Sequence, residues 1–98
     1  MLTVIAHYQA QPNNGDVVAA ALAKHISATR HEPGCVQFMG YRSRQDPDSF
    51  TLCEQFLDQD SLDAHRQTPH FERYVQQTII PLLAVREFGL YDEVAPEP

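Results

Sequence analysis

Leu2, Val4, Ala6 and Tyr8 alternate with Thr3, Ile5 and His7 at the start of the chain. A period of two marks a half-buried strand, here Leu2–Gln9. Gln11-Pro12-Asn13-Asn14-Gly15 interrupts it, and Asn13 or Asn14 is the expected cap of the element that follows. Over Asp16–Arg30 the period becomes helical. Val18, Leu22, Ile26 and Thr29 recur along one face, with Ala21 and His25 beside them. Asp16 in the first turn and Arg30 in the last suit the helix dipole, and Pro33-Gly34 ends the segment. Alternation returns in Cys35–Ser43 and Ser49–Leu57, joined by the polar turn Arg44-Gln45-Asp46-Pro47-Asp48. Asp60–Gln67 reads as a short helix capped by Asp60, and Thr68-Pro69 breaks it. Pro69 is a tolerated first residue for a second helical piece, His70–Leu83, kinked or ended at Pro81. Val85–Val94 is the last strand, and 95–98 fray.

The order β-α-β-β-α-β predicts an α+β fold of the ferredoxin-like kind, an antiparallel four-stranded sheet with helices on one face. One domain spans 1–94, with a tail at 95–98. The strands carry apolar side chains on both faces: Phe50, Leu52 and Phe56 alternate with Cys53 and Leu57, and Val36 and Phe38 with Cys35, Met39 and Tyr41. Helices cover only one face, so the other calls for a second copy of the chain. A chain of 98 residues also buries only about 60–65% of its unfolded surface, which makes association useful.

Charge narrows the partners. The net charge is −6, and the seven basic residues are scattered. No basic cluster faces a phosphate backbone or an anionic membrane, so neither nucleic acid nor membrane is expected. No apolar run approaches the roughly 20 residues that span a bilayer, and Met1–Ala6 lacks the marks of a signal peptide. The cytoplasm is the expected location. Pairing about the turn near Pro47 puts Cys53 opposite residue 39 or 40. Cys35 then lies on the order of 13–17 Å away along the strand, too far for a disulfide.

Candidate chemistry centres on His65 and Glu54. His65 follows Leu62 by three residues on the short helix, so both share a face. A histidine facing an apolar layer serves as a base near neutral pH; the competing reading is a core histidine satisfied by a carbonyl or by Glu54. Glu54 shares a strand face with Phe50, Leu52 and Phe56, where a carboxylate needs a partner: His65, Arg86 or a backbone donor. His70, Phe71 and Tyr74 follow the Pro69 break and are placed to line a pocket mouth. His65 and His70 straddle that break with no third ligand nearby in sequence, so no metal site is expected. His7, His25 and His31 read as edge or surface residues. Phosphate loops, Cys-x-x-Cys pairs, nucleophile elbows and nicotinamide or flavin fingerprints are missing.

Glu32-Pro33-Gly34-Cys35, the strand Phe50-Thr51-Leu52-Cys53-Glu54-Gln55-Phe56, Leu62-Asp63-Ala64-His65 and Thr68-Pro69-His70-Phe71 together resemble the antibiotic biosynthesis monooxygenase family. The likeness in element order runs from Met1 to about Val94. It implies a dimeric α+β barrel with a pocket between each subunit's sheet and helices. Members include cofactor-independent oxygenases of quinols and anthrone-type polyketides; relatives isomerise a small phosphorylated sugar-like signal or degrade haem. The chain has no Trp, and Phe56 and Cys53 stand where other aromatic residues are usual, which disfavours a tryptophan-dependent haem-degrading mechanism. The expectation is an oxygenase of a small electron-rich aromatic, a quinol or anthrone, using O2 and no bound cofactor. His65 is the base, Glu54 orients it, and Phe38, Phe56, Phe71 and Tyr74 form apolar walls. Arg86 or His70 stabilises the anion. The alternatives are an isomerase or lyase of an enolisable molecule, and a ligand-binding or stress-associated domain without turnover.

Overall fold

The first strand carries one fully apolar face, and that face sets the layering. A computed structural model describes residues 1–98. In it β1 (Leu2–Ala10) buries Val4, Ala6, Tyr8 and Ala10 and leaves Ile5, His7 and Gln9 half-covered. The chain continues through α1 (Gly15–Thr29), β2 (Cys35–Arg42), β3 (Ser49–Phe56), α2 (Gln59–Arg66), a π-helical segment α3 (Phe71–Ile79), a 3-10 turn (Ile80–Leu82) and β4 (Leu83–Tyr91). The sheet is antiparallel in the order β2-β3-β1-β4. The expected ferredoxin-like arrangement is therefore present.

Register fixes which residues share the helix-covered face. Ala6 pairs with Leu52 and Phe88, Val4 with Glu54 and Leu90, and Phe38 with Glu54. The core forms where Phe38, Phe50, Leu52 and Phe56 meet Val18, Ala21 and Leu22 of α1 and Leu62 of α2. Gly40 lets α1 lie close on β2: a Cβ there would stand 2.8 Å from Ile26 Cδ1. The helices stop short of β4, whose inner-face residues Phe88 and Leu90 remain exposed. Cys53 pairs with Met39 and Cys35 with Phe56, and both thiols are free.

Several element ends differ from the sequence pattern for local reasons. Asn14 occupies the cap position of α1, but its side chain bonds none of the helix N–H groups. The hairpin turn does this instead: Asp48 accepts from Gly15 N at 2.8 Å and from Asn13 N at 3.2 Å. A turn remote in sequence thus caps the helix, a contact that helical periodicity does not encode. In α2 the cap is Asp58, not Asp60. Its carboxylate accepts from Ser61 N at 2.8 Å and Ser61 Oγ at 2.7 Å, while Asp60 lies in the first turn. In α3 the Ile80 N–H reaches back five residues to Val75 O, and Thr78 Oγ1 reaches Arg73 O at 2.9 Å. Pro81 has no N–H to continue that ladder, so the helix tightens into the 3-10 turn and β4 begins at Leu83. β4 ends at Tyr91, three residues before the expected Val94.

Asp48→Ala removes the acceptor that α1 uses, and we expect a loss of about 1–2 kcal/mol. Asn14→Ala is expected to cost much less. Urea denaturation of both variants checks the ordering, and equal losses would contradict it.

Candidate active site

Glu32 is brought to the site by the way α1 ends. The Glu32 N–H bonds to Thr29 O at 2.9 Å, and the Cys35 N–H closes back on Glu32 O at 3.1 Å. The Arg30 guanidinium donates twice to Phe38 O, at 3.1 and 2.8 Å, and ties this turn to β2. Thr68 does the matching work across the Pro69 break. Its hydroxyl donates to His65 O at 2.8 Å and accepts from Phe71 N at 3.2 Å. The end of α2 and the start of α3 are thereby stapled, and the two imidazoles converge on Glu32. His65 Nδ1 donates to Glu32 Oε2 at 2.8 Å, and His70 Nε2 donates to the same oxygen at 2.6 Å. The carboxylate acceptor holds the His65 proton on Nδ1 and leaves Nε2 with a free lone pair.

His65 also lines a small cavity of about 20 Å³, room for about one water, under α3 and against β1 and β3. Val4, Ala6 and Tyr8 form its floor, Phe38, Phe71 and Val75 its walls, and Glu54 points into it. Arg66, Arg86 and Phe88 stand at the rim on the uncovered β4 side. The His65 ring is packed among Phe56 at 5.0 Å, His25 at 5.2 Å and Phe71 at 5.3 Å between ring centres.

Burial sorts the protons here. It lowers the His65 pKa, against the pull of Glu32, so the ring is a neutral base at neutral pH. It pushes His25 down to about 3, helped by His65 and His70; His25 Nδ1 is buried without a partner. Burial raises Glu54 to about 7, although Arg66 and Arg86 oppose the shift. The Tyr8 hydroxyl is raised too, by burial and against Arg86. A neutral imidazole and a half-ionised carboxyl therefore share one aromatic cavity, a pairing suited to moving protons at neutral pH.

The structure redistributes the roles read from sequence. His65, Glu54, Phe38, Phe71 and Arg86 all reach the cavity. Glu54 does not orient His65, because Glu32 occupies that position. His70 turns to Glu32 and lies outside the cavity lining. Phe56 stacks behind His65 and is not among the lining residues. Tyr74 borders a separate surface hollow with Lys24, Ala28 and His31. His25 is a core residue, 1% exposed, not a surface one. Pattern and spacing in the sequence do not mark Glu32, Arg66, Tyr8 or Phe88 as site residues. Glu32 lies within the quoted Glu32-Pro33-Gly34-Cys35 motif, yet its partners are 33 and 38 residues away. Glu32 also supplies the third donor that spacing failed to show. Its oxygen and the two imidazole nitrogens lie within 4.8 Å of one another. They are the residues that could hold a divalent cation, and in this arrangement two N–H···O bonds bridge them.

Comparison with known proteins agrees with the fold. The family model for antibiotic biosynthesis monooxygenases matches residues 1–77. The chain is 33% identical to Rv0793 of Mycobacterium tuberculosis, a candidate monooxygenase, over 78% of this chain and 74% of that protein. It is 27% identical to an uncharacterized protein of Synechocystis over 92% of this chain, and spans 61% of that relative's length. A crystal structure of an antibiotic biosynthesis monooxygenase superposes with a TM-score of 0.89 at 31% identity, covering 97% of this chain and all of that one. A four-stranded antiparallel sheet with a helix-roofed cavity defines the class, an α+β domain of ferredoxin-like fold. The chain belongs to the antibiotic biosynthesis monooxygenase family.

The shifted groups give stability opposing pH dependences. His25 and His65 have folded pKa values below the ordinary 6.5, so the unfolded chain takes up protons first and stability falls as pH drops below about 6.5. Glu54 is raised from 4.5 to about 7, so its folded form keeps a proton the unfolded chain has lost, and stability falls as pH rises through that window. We expect His25→Leu to gain about 2 kcal/mol relative to the parent on going from pH 7.5 to pH 5. Glu54→Gln should gain about 2–3 kcal/mol relative to the parent on going from pH 5 to pH 8. Urea midpoints at the three pH values test both, and pH-independent gaps would refute the assignment.

Proposed function

We propose that the protein is a monooxygenase of a small electron-rich aromatic of the quinol or anthrone type, with O2 as the second substrate. The observation that supports this reading is the Glu32–His65 pair: Glu32 engages one ring nitrogen of His65, and the same ring lines an aromatic-walled cavity. In this reading His65 Nε2 removes the phenolic proton. The resulting anion supplies the electrons, and O2 accepts them. For an anthrone the balance is CH2 + O2 → C=O + H2O, one oxygen atom entering the ring carbon and the other leaving as water. Glu32 is a positioning residue: it fixes the tautomer and faces the imidazolium charge once the proton has moved. Glu54, half protonated near pH 7, is the donor to the reduced oxygen species. Phe38 and Phe71 part to admit the flat ring and then hold it against the floor.

A second reading has its own support. His65 and Glu54 line the same cavity, so a proton taken at one carbon of an enolisable substrate could be returned at another. That isomerase would exchange substrate hydrogen with solvent deuterium without consuming oxygen.

We further propose a homodimer joined through the open sheet face, where Ile5, Met39, Cys53 and Tyr91 share a side with Thr3, His7 and Thr51. Sedimentation velocity reads this directly, and a monomer of 11.1 kDa would contradict it. A reducing cytoplasm suits the two free thiols.

Oxygen-electrode assays against a panel of quinols and anthrones test the primary reading. His65→Ala is expected to lower uptake about 100-fold or more, and Glu32→Gln to lower it less while shifting the pH profile. Uptake that survives His65→Ala unchanged would sink the assignment of the base.

A further inference from the structure

The cavity rim carries charge opposite to that of the chain. The protein's net charge is −6, yet two arginines, Arg66 from the end of α2 and Arg86 from β4, border the opening. Neither guanidinium has a carboxylate oxygen within 4.0 Å; the ion pairs of the molecule are Arg42 with Asp16 and Glu32 with His65 and His70. Both lie against the same ring, with guanidinium carbons 5.5 and 4.8 Å from the centre of Phe88. Phe88 itself is 52% exposed, so both cations meet an open ring at the mouth. A ring face favours each cation by roughly 0.5–1 kcal/mol, but two like charges brought together on one ring repel. Glu54 is the acidic group facing them from inside, and burial keeps it half protonated near neutral pH, so it does not offset two full charges.

We propose that Arg66 and Arg86 form an anion subsite at the cavity mouth, and that the substrate is an aromatic ring bearing an oxyanion, a carboxylate or a phosphate. The inference rests on the oxygenase reading for the reacting ring and independently on the arginine pair for the anion. Guanidinium groups match both oxyanions through paired N–H donors. An anion held at the rim leaves the ring to enter between Phe38 and Phe71, which part to admit it, and brings its hydroxyl toward His65. The same attraction draws anionic substrates to an otherwise acidic protein surface, and it discriminates against neutral rings of equal size. Arg66 and Arg86 are thus specificity-determining residues that do not touch the reacting atoms.

Equilibrium binding tests the subsite without turnover. The chain has no Trp, so naphthalene fluorescence excited beyond tyrosine absorption reports only the probe. The probes are 1-hydroxy-2-naphthoate, 1-naphthyl phosphate and neutral 1-naphthol. We expect at least one anionic probe to bind about tenfold more tightly than 1-naphthol, which is roughly 1.4 kcal/mol; whichever anion gains identifies the oxyanion. Arg66→Gln and Arg86→Gln should each weaken that probe about five- to tenfold and leave 1-naphthol within about twofold. Raising the salt should compress the preference in the same way. Both arginines are exposed, and thermal melts confirm that the variants fold. Equal binding of anionic and neutral probes, equal effects of the arginine variants on both, or no binding by any probe would overturn the subsite. Oxygen uptake by His65→Ala is a separate readout, so failure of the oxygenase reading and failure of the anion subsite are told apart.

Discussion

One carboxylate oxygen organises this molecule. Glu32 Oε2 takes an N–H from His65 and another from His70, and so joins three segments that sequence keeps apart: the loop after α1, the end of α2 and the start of α3. A carboxylate only 13% exposed is stable there because two donors replace the water it gave up. The exchange also fixes the cavity. With its Nδ1 engaged, His65 cannot rotate to satisfy itself elsewhere, and the start of α3 is held beside the cavity that His65 and Phe71 line.

The remaining electrostatics follow from which groups obtain such partners. Glu32 has two donors. His25 Nδ1 has no partner, and burial keeps that ring neutral well below the usual range. Glu54 sits among apolar groups without a bonded cation, so it retains its proton far longer than an ordinary glutamate. The arginines that would stabilise its charge lie at the rim, in solvent, where their influence is screened. Within one small cavity, the unpartnered His25 and the remotely compensated Glu54 are thus pushed in opposite directions by the same burial.

Periodicity made the architecture legible because each element carries its own signal. Val4, Ala6 and Tyr8 repeat every second residue and Val18, Leu22, His25 and Thr29 every third or fourth, and all of these are buried. The hairpin opposite Met39 was readable from its turn. What sequence did not show were the contacts closed by tertiary structure. Asp48 caps a helix that begins 33 residues earlier, and Glu32 meets histidines more than 30 residues on. The alternation of β3 puts Glu54 on the inner face, but the choice between His65 and other partners depends on where the α1–β2 loop turns. The exposed inner side of β4 was also hidden, since its Phe88 and Leu90 look like core until the helices are seen to stop short of them.

The strand order β2-β3-β1-β4 has a consequence for how the molecule comes into being. β1 is central, yet its partners are β3 and β4: Leu2 pairs with Phe56, and Thr3 with Tyr91. During synthesis the β2–β3 hairpin and α1 can form from nearby residues, while β1 must wait for most of the chain to emerge. Loop closure over such separations is slow compared with local pairing. The central strand is therefore the last to gain both neighbours, and the rim formed by Arg86 and Phe88 is completed only when β4 docks. In the order of assembly, the scaffold comes first and the mouth of the cavity comes last.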